Sequence, residues 1–271
     1  MTSITRYRVK SGAKFSLAKH DPADTAERSP KGKSADAEAL AKLTGRLDAL
    51  QDVLYAQAKH RVLLVLQGMD TSGKDGTIRH VFNSVDPLGV RVASFKVPSE
   101  EERARDYLWR THKVVPGAGE IVVFNRSHYE DVLVVRVHRW IDKAECARRY
   151  RQINDFERML TETGTTIIKC FLNISKDEQK ARLEERLADK AKNWKFNTGD
   201  LEERELWDDY MKAYERAIAA TSTPYAPWHI VPANSKTNRS LLISRLLVET
   251  LESLKLKHPD PAPGLDQINV K

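Results

Sequence analysis

The chain has 271 residues, 41% of them hydrophobic and 31% charged, with a net charge of +7. That length suits one large α/β domain or two small ones, and so charged a composition argues against a membrane-embedded body. The basic balance points to a polyanionic partner: nucleic acid, phosphorylated metabolites or polyphosphate.

Residues 1–33 are polar and broken by Gly12, Pro22, Pro30 and Gly32, which reads as an extended arm or a disordered tail. From Ser34 the spacing of Leu40, Leu43, Leu47, Leu50 and Leu54 predicts an amphipathic helix. Arg61 to Gln67 is a short continuous apolar run, as in a buried parallel strand. Val90–Val97 reads as a strand, and Ser99 with Glu102 forms a capping box that opens a helix. Ile121–Phe124 is a third strand, and Ser127–His138 and Asp142–Glu162 are helices. Gly164 stops the second of these before the strand Thr165–Leu172. A capping box from Ser175 to Glu178 starts a charged helix that runs to about Lys190. Helix Leu201–Ala220, strand Trp228–Val231 and helix Ser240–Leu256 follow. Five strands with intervening helices imply a parallel sheet covered on both faces. The division is therefore an arm at 1–33, one domain at 34–257 with a lid at about 178–200, and a loose tail at 258–271. The apolar runs are too short to span a bilayer, and Met1–Lys10 has no signal-peptide core, so a cytoplasmic location is expected. Cys146 and Cys170 have neither metal-binding nor redox spacing and read as buried thiols.

The sharpest motif runs from Gly68 to Gly76, between the first strand and a helical stretch at 77–83. It contains Gly-x-x-x-x-Gly-Lys, whose glycines let the backbone N–H groups of Gly68, Met69, Thr71, Ser72, Gly73, Asp75 and Gly76 turn toward phosphate oxygens. Lys74 adds a full charge and the helix N-terminus a partial one. The residue after the lysine is Asp75 where Ser or Thr is usual, and a second acid, Asp70, lies inside the loop. A carboxylate beside phosphates needs an intervening cation, so Asp70 is a candidate Mg2+ ligand, with capping of the loop backbone as the alternative. Asp75 is expected to act structurally at the helix N-terminus.

A second site is expected at the carboxyl end of the strand Ile121–Phe124. There Asn125 offers a neutral oxygen ligand. Arg126 and Glu130, four apart, would share a helix face. Arg126 is a candidate for binding the transferring phosphate, and Glu130 for metal ligand or general base; an ordinary surface ion pair is the alternative. His128 and Tyr129 are expected to pack. Arg182, Arg186 and Lys190 recur at intervals of four on the charged helix, followed by Lys192 and Lys195. This is the place where kinases of this type close arginines over phosphates, although a solvated helix face would look the same. Arg79 and Arg136 would extend the basic channel.

These motifs together resemble the polyphosphate kinase 2 family, from about Tyr7 to Leu254. The likeness is strongest at Gly68–Gly76, Phe124–Asp131, Trp194-Lys195-Phe196, Ala226-Pro227-Trp228 and Val231–Asn234. The resemblance implies a P-loop kinase fold with a five-stranded sheet in the order 2-3-1-4-5. It also implies Mg2+-dependent, reversible transfer from inorganic polyphosphate to a nucleotide, and a homodimer or homotetramer. Mn2+ is the alternative cation. Most of the family carries Asp at the position of Asn125 and Asn at that of Glu130. The exchange here resembles the subgroup that accepts both AMP and ADP. Catalytic roles are then expected for Asp70, Lys74, Arg126 and Glu130, and phosphate contacts for Arg126, Arg182, Arg186 and the loop. Metal ligands are expected from Asp70, Asn125 and Glu130. The rivals are an ATP-dependent nucleoside or nucleotide kinase and a non-catalytic P-loop protein that binds nucleic acid. No nucleic-acid motif supports the latter, and no nucleic-acid partner is expected.

Overall fold

A strand that is apolar on both faces is stable only between two layers of helix. In the computed structural model, which describes residues 3–12, 14–191 and 193–264, Arg61–Gln67 (β1) is the central strand, buried from Val62 onward. β2 (Val90–Ser94), β3 (Ile121–Asn125), β4 (Thr165–Asn173) and β5 (Trp228–Pro232) complete a sheet of order β2-β3-β1-β4-β5, parallel throughout. The helices are α1 (Lys33–Gln57), α2 (Lys74–Val81), α3 (Glu100–Arg103), α4 (Trp109–His112), α5 (Val134–Val137) and α6 (Lys143–Glu162). α7 (Lys176–Ala188), α8 (Gly199–Glu205), α9 (Trp207–Thr221) and α10 (Lys236–Ser253) follow. α10 packs on α1, α2 and β5, while α6 packs on β4 and α9.

Local chemistry moves several expected boundaries. β2 stops at Ser94, because Phe95 turns into the core while Val97 is left 85% exposed. The helix expected over 127–138 is a 3-10 turn, His128–Val132, followed by α5. The Ser127 hydroxyl accepts from the Tyr129 N–H and tightens the first turn. The helix expected over 201–220 is broken at Leu206 into α8 and α9. Only half of the second capping box forms: Ser175 Oγ accepts from Glu178 N, but Ser175 N donates to Asn234 Oδ1 instead.

The N-terminal segment folds onto the domain. Ile4, Tyr7, Val9 and Leu17 are buried, and Val9 N donates to Trp228 O at 2.8 Å. The segment thus covers the outer edge of β5, which would otherwise present unpaired backbone groups. Residues 258–264 are exposed, and the rest of the expected 258–271 tail lies outside the described residues, as does Lys192.

Inside the sheet–helix layer sits a fully buried polar network. Lys169 Nζ on β4 donates to Glu157 Oε2 at 2.5 Å, to Tyr129 Oη at 2.9 Å and to Thr221 O at 2.8 Å. Tyr129 Oη donates to Glu157 Oε1 at 2.8 Å. Lys169 and His128 hold the Glu157 carboxyl below its ordinary range although burial opposes this. The network ties the turn after β3 to β4 and α6. Tyr129 and His128 therefore pack, as expected.

Candidate active site

β1 and β3 run in register with Leu66 opposite Asn125, so their carboxyl ends open side by side. The Arg126 N–H donates to Leu66 O at 3.1 Å, which sets the start of the β3 turn against the start of the phosphate loop. Gly68 begins that loop. A Cβ there would lie 2.8 Å from Leu172 O, so only glycine lets the loop pass this close to β4. Gly73 has φ of 98°, and a Cβ would overlap the Arg239 guanidinium. Gly73→Ala is therefore expected to strain the loop by about 1–3 kcal/mol. The readout is a rise of about tenfold or more in KM for the phosphate donor with an unchanged circular-dichroism spectrum. An unaltered KM would show that the loop tolerates a side chain here.

Two buried arginines grip this loop from behind. Arg182 donates to Thr71 O at 2.9 Å, Ser72 O at 3.4 Å, Ala233 O at 2.7 Å and Asn234 O at 2.8 Å. Arg239 donates to Ser72 O at 3.1 Å, and burial together with Arg182 lowers its pKa to about 10. This corrects the expectation that Arg182 contacts phosphate: its terminal nitrogens are spent on backbone carbonyls and its Nε on the Glu178 carboxylate at 2.8 Å, and it shapes the loop instead. The regular spacing of Arg182, Arg186 and Lys190 does not make one lid face either. α7 ends at Ala188, Arg182 is buried and Lys190 is exposed beyond the helix. Arg186 lies 3.4 Å from Asp200, whose carboxyl is pushed up by burial and by the charge of Asp70.

Lys74 Nζ donates to Gly68 O at 2.7 Å and Met69 O at 3.2 Å, curled under the loop with only 8% exposed. Burial pulls its pKa down, and Asp70, Glu130 and Asp75 act to keep it charged. Arg126 has φ of 62° and donates to Asp70 Oδ1 at 2.9 Å. Although burial disfavours its charge, Glu130 and Asp70 raise its pKa. Burial raises the Glu130 carboxyl in turn, with Arg126 and Lys74 opposing. Asp70, Arg126 and Glu130 line one cleft of about 90 Å³ with Gly68, Tyr210 and Tyr214. Arg126 and Glu130 meet there even though no helix turn joins them; the sharp backbone at Arg126 and the 3-10 turn bring both round to the loop.

Of the three expected metal ligands, Asp70 and Glu130 face this cleft and Asn125 does not. The Asn125 amide donates to Asp75 Oδ1 at 2.7 Å, a cross-link between β3 and the first turn of α2 that gives Asp75 its structural part. Asp70 and Glu130, with Glu203 also lining the cleft, present carboxylate oxygens of the kind that could hold Mg2+. Arg79 is exposed on α2. Sequence reasoning missed Tyr210 and Tyr214, whose spacing of four reads simply as core, and Arg239. The signal for Arg239 was a cation on the same helical face as Leu242, Ile243 and Leu246.

A phosphate loop leaving the central strand of a 2-3-1-4-5 parallel sheet, with cationic and acidic groups meeting at the next strand end, defines a P-loop kinase fold. A family model for polyphosphate kinase 2 matches residues 31–259, and the chain belongs to that family. It is 56% identical over 268 residues to the AMP/ADP-polyphosphate phosphotransferase of Meiothermus ruber, covering 99% of this chain and 100% of that one. Identity to the ADP-polyphosphate phosphotransferase of Rhodopseudomonas palustris is 47% over 239 residues, covering 84% of this chain and 83% of that one. The crystal structure of polyphosphate kinase 2 from Arthrobacter aurescens TC1 superposes with a TM-score of 0.88 at 50% identity, covering 94% of this chain and 91% of that one.

Proposed function

We propose that this enzyme transfers phosphate reversibly from inorganic polyphosphate to AMP and to ADP, giving ADP and ATP. The carrying observation is the cleft in which Arg126, Asp70 and Glu130 meet at the phosphate loop, with the charge of Lys74 coupled to all three from beneath it, in a chain so similar to an AMP/ADP-polyphosphate phosphotransferase. On this reading the loop amides and Lys74 hold the donor phosphate. Arg126 turns from Asp70 to the transferring group and stabilises the charge that builds on its equatorial oxygens. Asp70 and Glu130 would hold Mg2+ (Mn2+ as the alternative), which neutralises charge between the two phosphate groups when bound. The acceptor oxygen is already ionised near neutral pH, so the chain's contribution is positioning and charge rather than proton abstraction. Arg186 would serve the substrate through the lid, in the cytoplasm, from a homodimer or homotetramer.

The test supplies AMP or ADP with long-chain polyphosphate, or with ATP or GTP as the alternative donor, and reads the nucleotide products by HPLC. ATP from both acceptors with polyphosphate, lost on adding EDTA and restored by Mg2+, is the expected result. ADP formation from AMP only when ATP or GTP is the donor would make it an ordinary nucleotide kinase. Phosphorylation of ADP alone would remove AMP from its substrates.

A further inference from the structure

Three consecutive residues at the carboxyl end of β1 each hold one part of the reaction site. Leu66 O accepts from the Arg126 N–H at 3.1 Å, and Gly68 O accepts from Lys74 Nζ at 2.7 Å. Between them Gln67 ends the strand, fully buried. Gln67 Nε2 donates to Ser127 Oγ at 3.0 Å. Ser127 starts the turn that carries Glu130. Its Oγ also accepts from the Tyr129 N–H at 3.1 Å, and its carbonyl oxygen accepts from the Glu130 N–H at 3.1 Å.

A side-chain amide nitrogen carries two protons, and Ser127 takes one of them. Gln67 also hydrogen-bonds the Glu130 carboxyl, whose charged form it favours against the cost of burial. That contact fixes which end of the amide is which, since an ionised carboxylate only accepts. The oxygen end gains nothing in return. Gln67 Oε1 is buried and finds no partner among the described residues. An orphaned buried acceptor is destabilising, and an apolar side chain of the same shape would avoid it. Packing alone therefore favours Leu or Met at this strand end. What an amide adds is its pair of donors, and both are turned on the segment that bears Glu130.

We propose that Gln67 is a positioning residue whose amide holds the Glu130 carboxylate in the cleft it shares with Asp70, ready for a divalent cation. The inference rests on the reading of Glu130 as a metal ligand given above. A free glutamate side chain samples several rotamers, and the freedom it loses on gripping an ion weakens the grip. A hydrogen bond that holds the ligating carboxylate beforehand removes part of that loss. Gln67 acts through Glu130 and needs no contact of its own with ion or substrate.

The experiment replaces Gln67 with Met, which has the same length and no donor, and with Leu as a second apolar filling. Mn2+ is titrated into each protein and the free ion is followed by electron paramagnetic resonance, with the melting temperature measured alongside. The Kd for Mn2+ is expected to rise about tenfold, as when a hydrogen-bond partner of a metal-ligating side chain is lost. The half-saturating Mg2+ concentration for ATP formation from ADP and polyphosphate should rise in parallel. The melting temperature should hold or increase, because the orphaned oxygen goes with the amide. In a Glu130→Gln background, Gln67→Met should weaken Mn2+ binding no further, since its effect passes through Glu130. Equal Mn2+ affinity in the wild type and Gln67→Met would overturn the inference, and so would the same loss with and without Glu130→Gln. A lower melting temperature with unaltered Mn2+ affinity would make Gln67 a purely structural residue. If Glu130→Gln alone left the Mn2+ constant where it was, the metal-ligand reading itself would fail, and that result needs no change at Gln67.

Discussion

Replacing Lys74 with Met is expected to lower kcat for ATP formation by about 10² or more while the chain still folds. Met has nearly the length of Lys and no charge, so it fills the same buried groove under Gly68 and Met69. What disappears is the ammonium group that Asp70, Glu130 and Asp75 jointly keep charged. Without it, the carboxylates of Asp70, Glu130 and Glu203 face the incoming polyphosphate with Arg126 as the cation that lines the reaction cleft among the described residues. The substrate's own charge is then repelled where it must be held most closely. Single-turnover measurement of ATP formation separates this loss from slow product release. A melting temperature near that of the wild type confirms that the protein is intact. Wild-type turnover by the variant would remove Lys74 from the mechanism and the phosphate loop with it.

Lys169→Met is expected to act on stability instead, by about 3–5 kcal/mol, because it leaves the Glu157 carboxylate buried without its cation. Urea denaturation measures this directly. The pH dependence identifies the cause. In the variant, burial would lift the carboxyl pKa of Glu157 above the 4.5 it has in the unfolded chain. A group whose folded pKa is raised contributes fully below its unfolded pKa and loses that contribution as pH rises through the folded value. The variant's deficit should therefore be smallest below pH 4.5 and grow toward neutrality. Glu157→Gln added to Lys169→Met should flatten that dependence. A deficit independent of pH would mean that lost packing, not an unpaired charge, accounts for it.

The sheet was legible because its signals are local. Val62 to Leu66 and Ile121 to Phe124 are apolar runs of strand length, Thr165 to Leu172 is a largely apolar one interrupted by Lys169, and all three form strands whose residues are almost all buried. The loop was legible because its chemistry is contiguous: Gly68, Gly73 and Lys74 lie within seven residues of one another. The misreadings arise where sequence separation hides the partner. Arg182 looks like a phosphate ligand until its acceptors are seen to be Glu178 and backbone carbonyls up to 111 residues away. The amide N–H of Asn125 bonds Asp75, fifty residues earlier, a cross-link that the strand-end motif alone does not reveal. The helical spacing of Arg126 and Glu130 proposed the right pair by the wrong geometry, since the positive φ at Arg126 rules out a helix there.

The grip of Arg182 on the phosphate loop also limits mechanical freedom. Arg182 sits midway along α7, so the half of that helix before it is pinned to the rigid floor of the site. Gln179, one turn earlier, adds a bond to Asp70 O at 3.1 Å. On the return path, Arg204 in α8 donates to Lys176 O at 2.7 Å and Gln179 Oε1 at 2.8 Å. The segment from Leu183 to Glu203 is thus tied at both ends to the same two turns of helix. Among the described residues, the Arg186–Asp200 pair lies between those two ties, while Arg182 and Gln179 hold the loop below in shape.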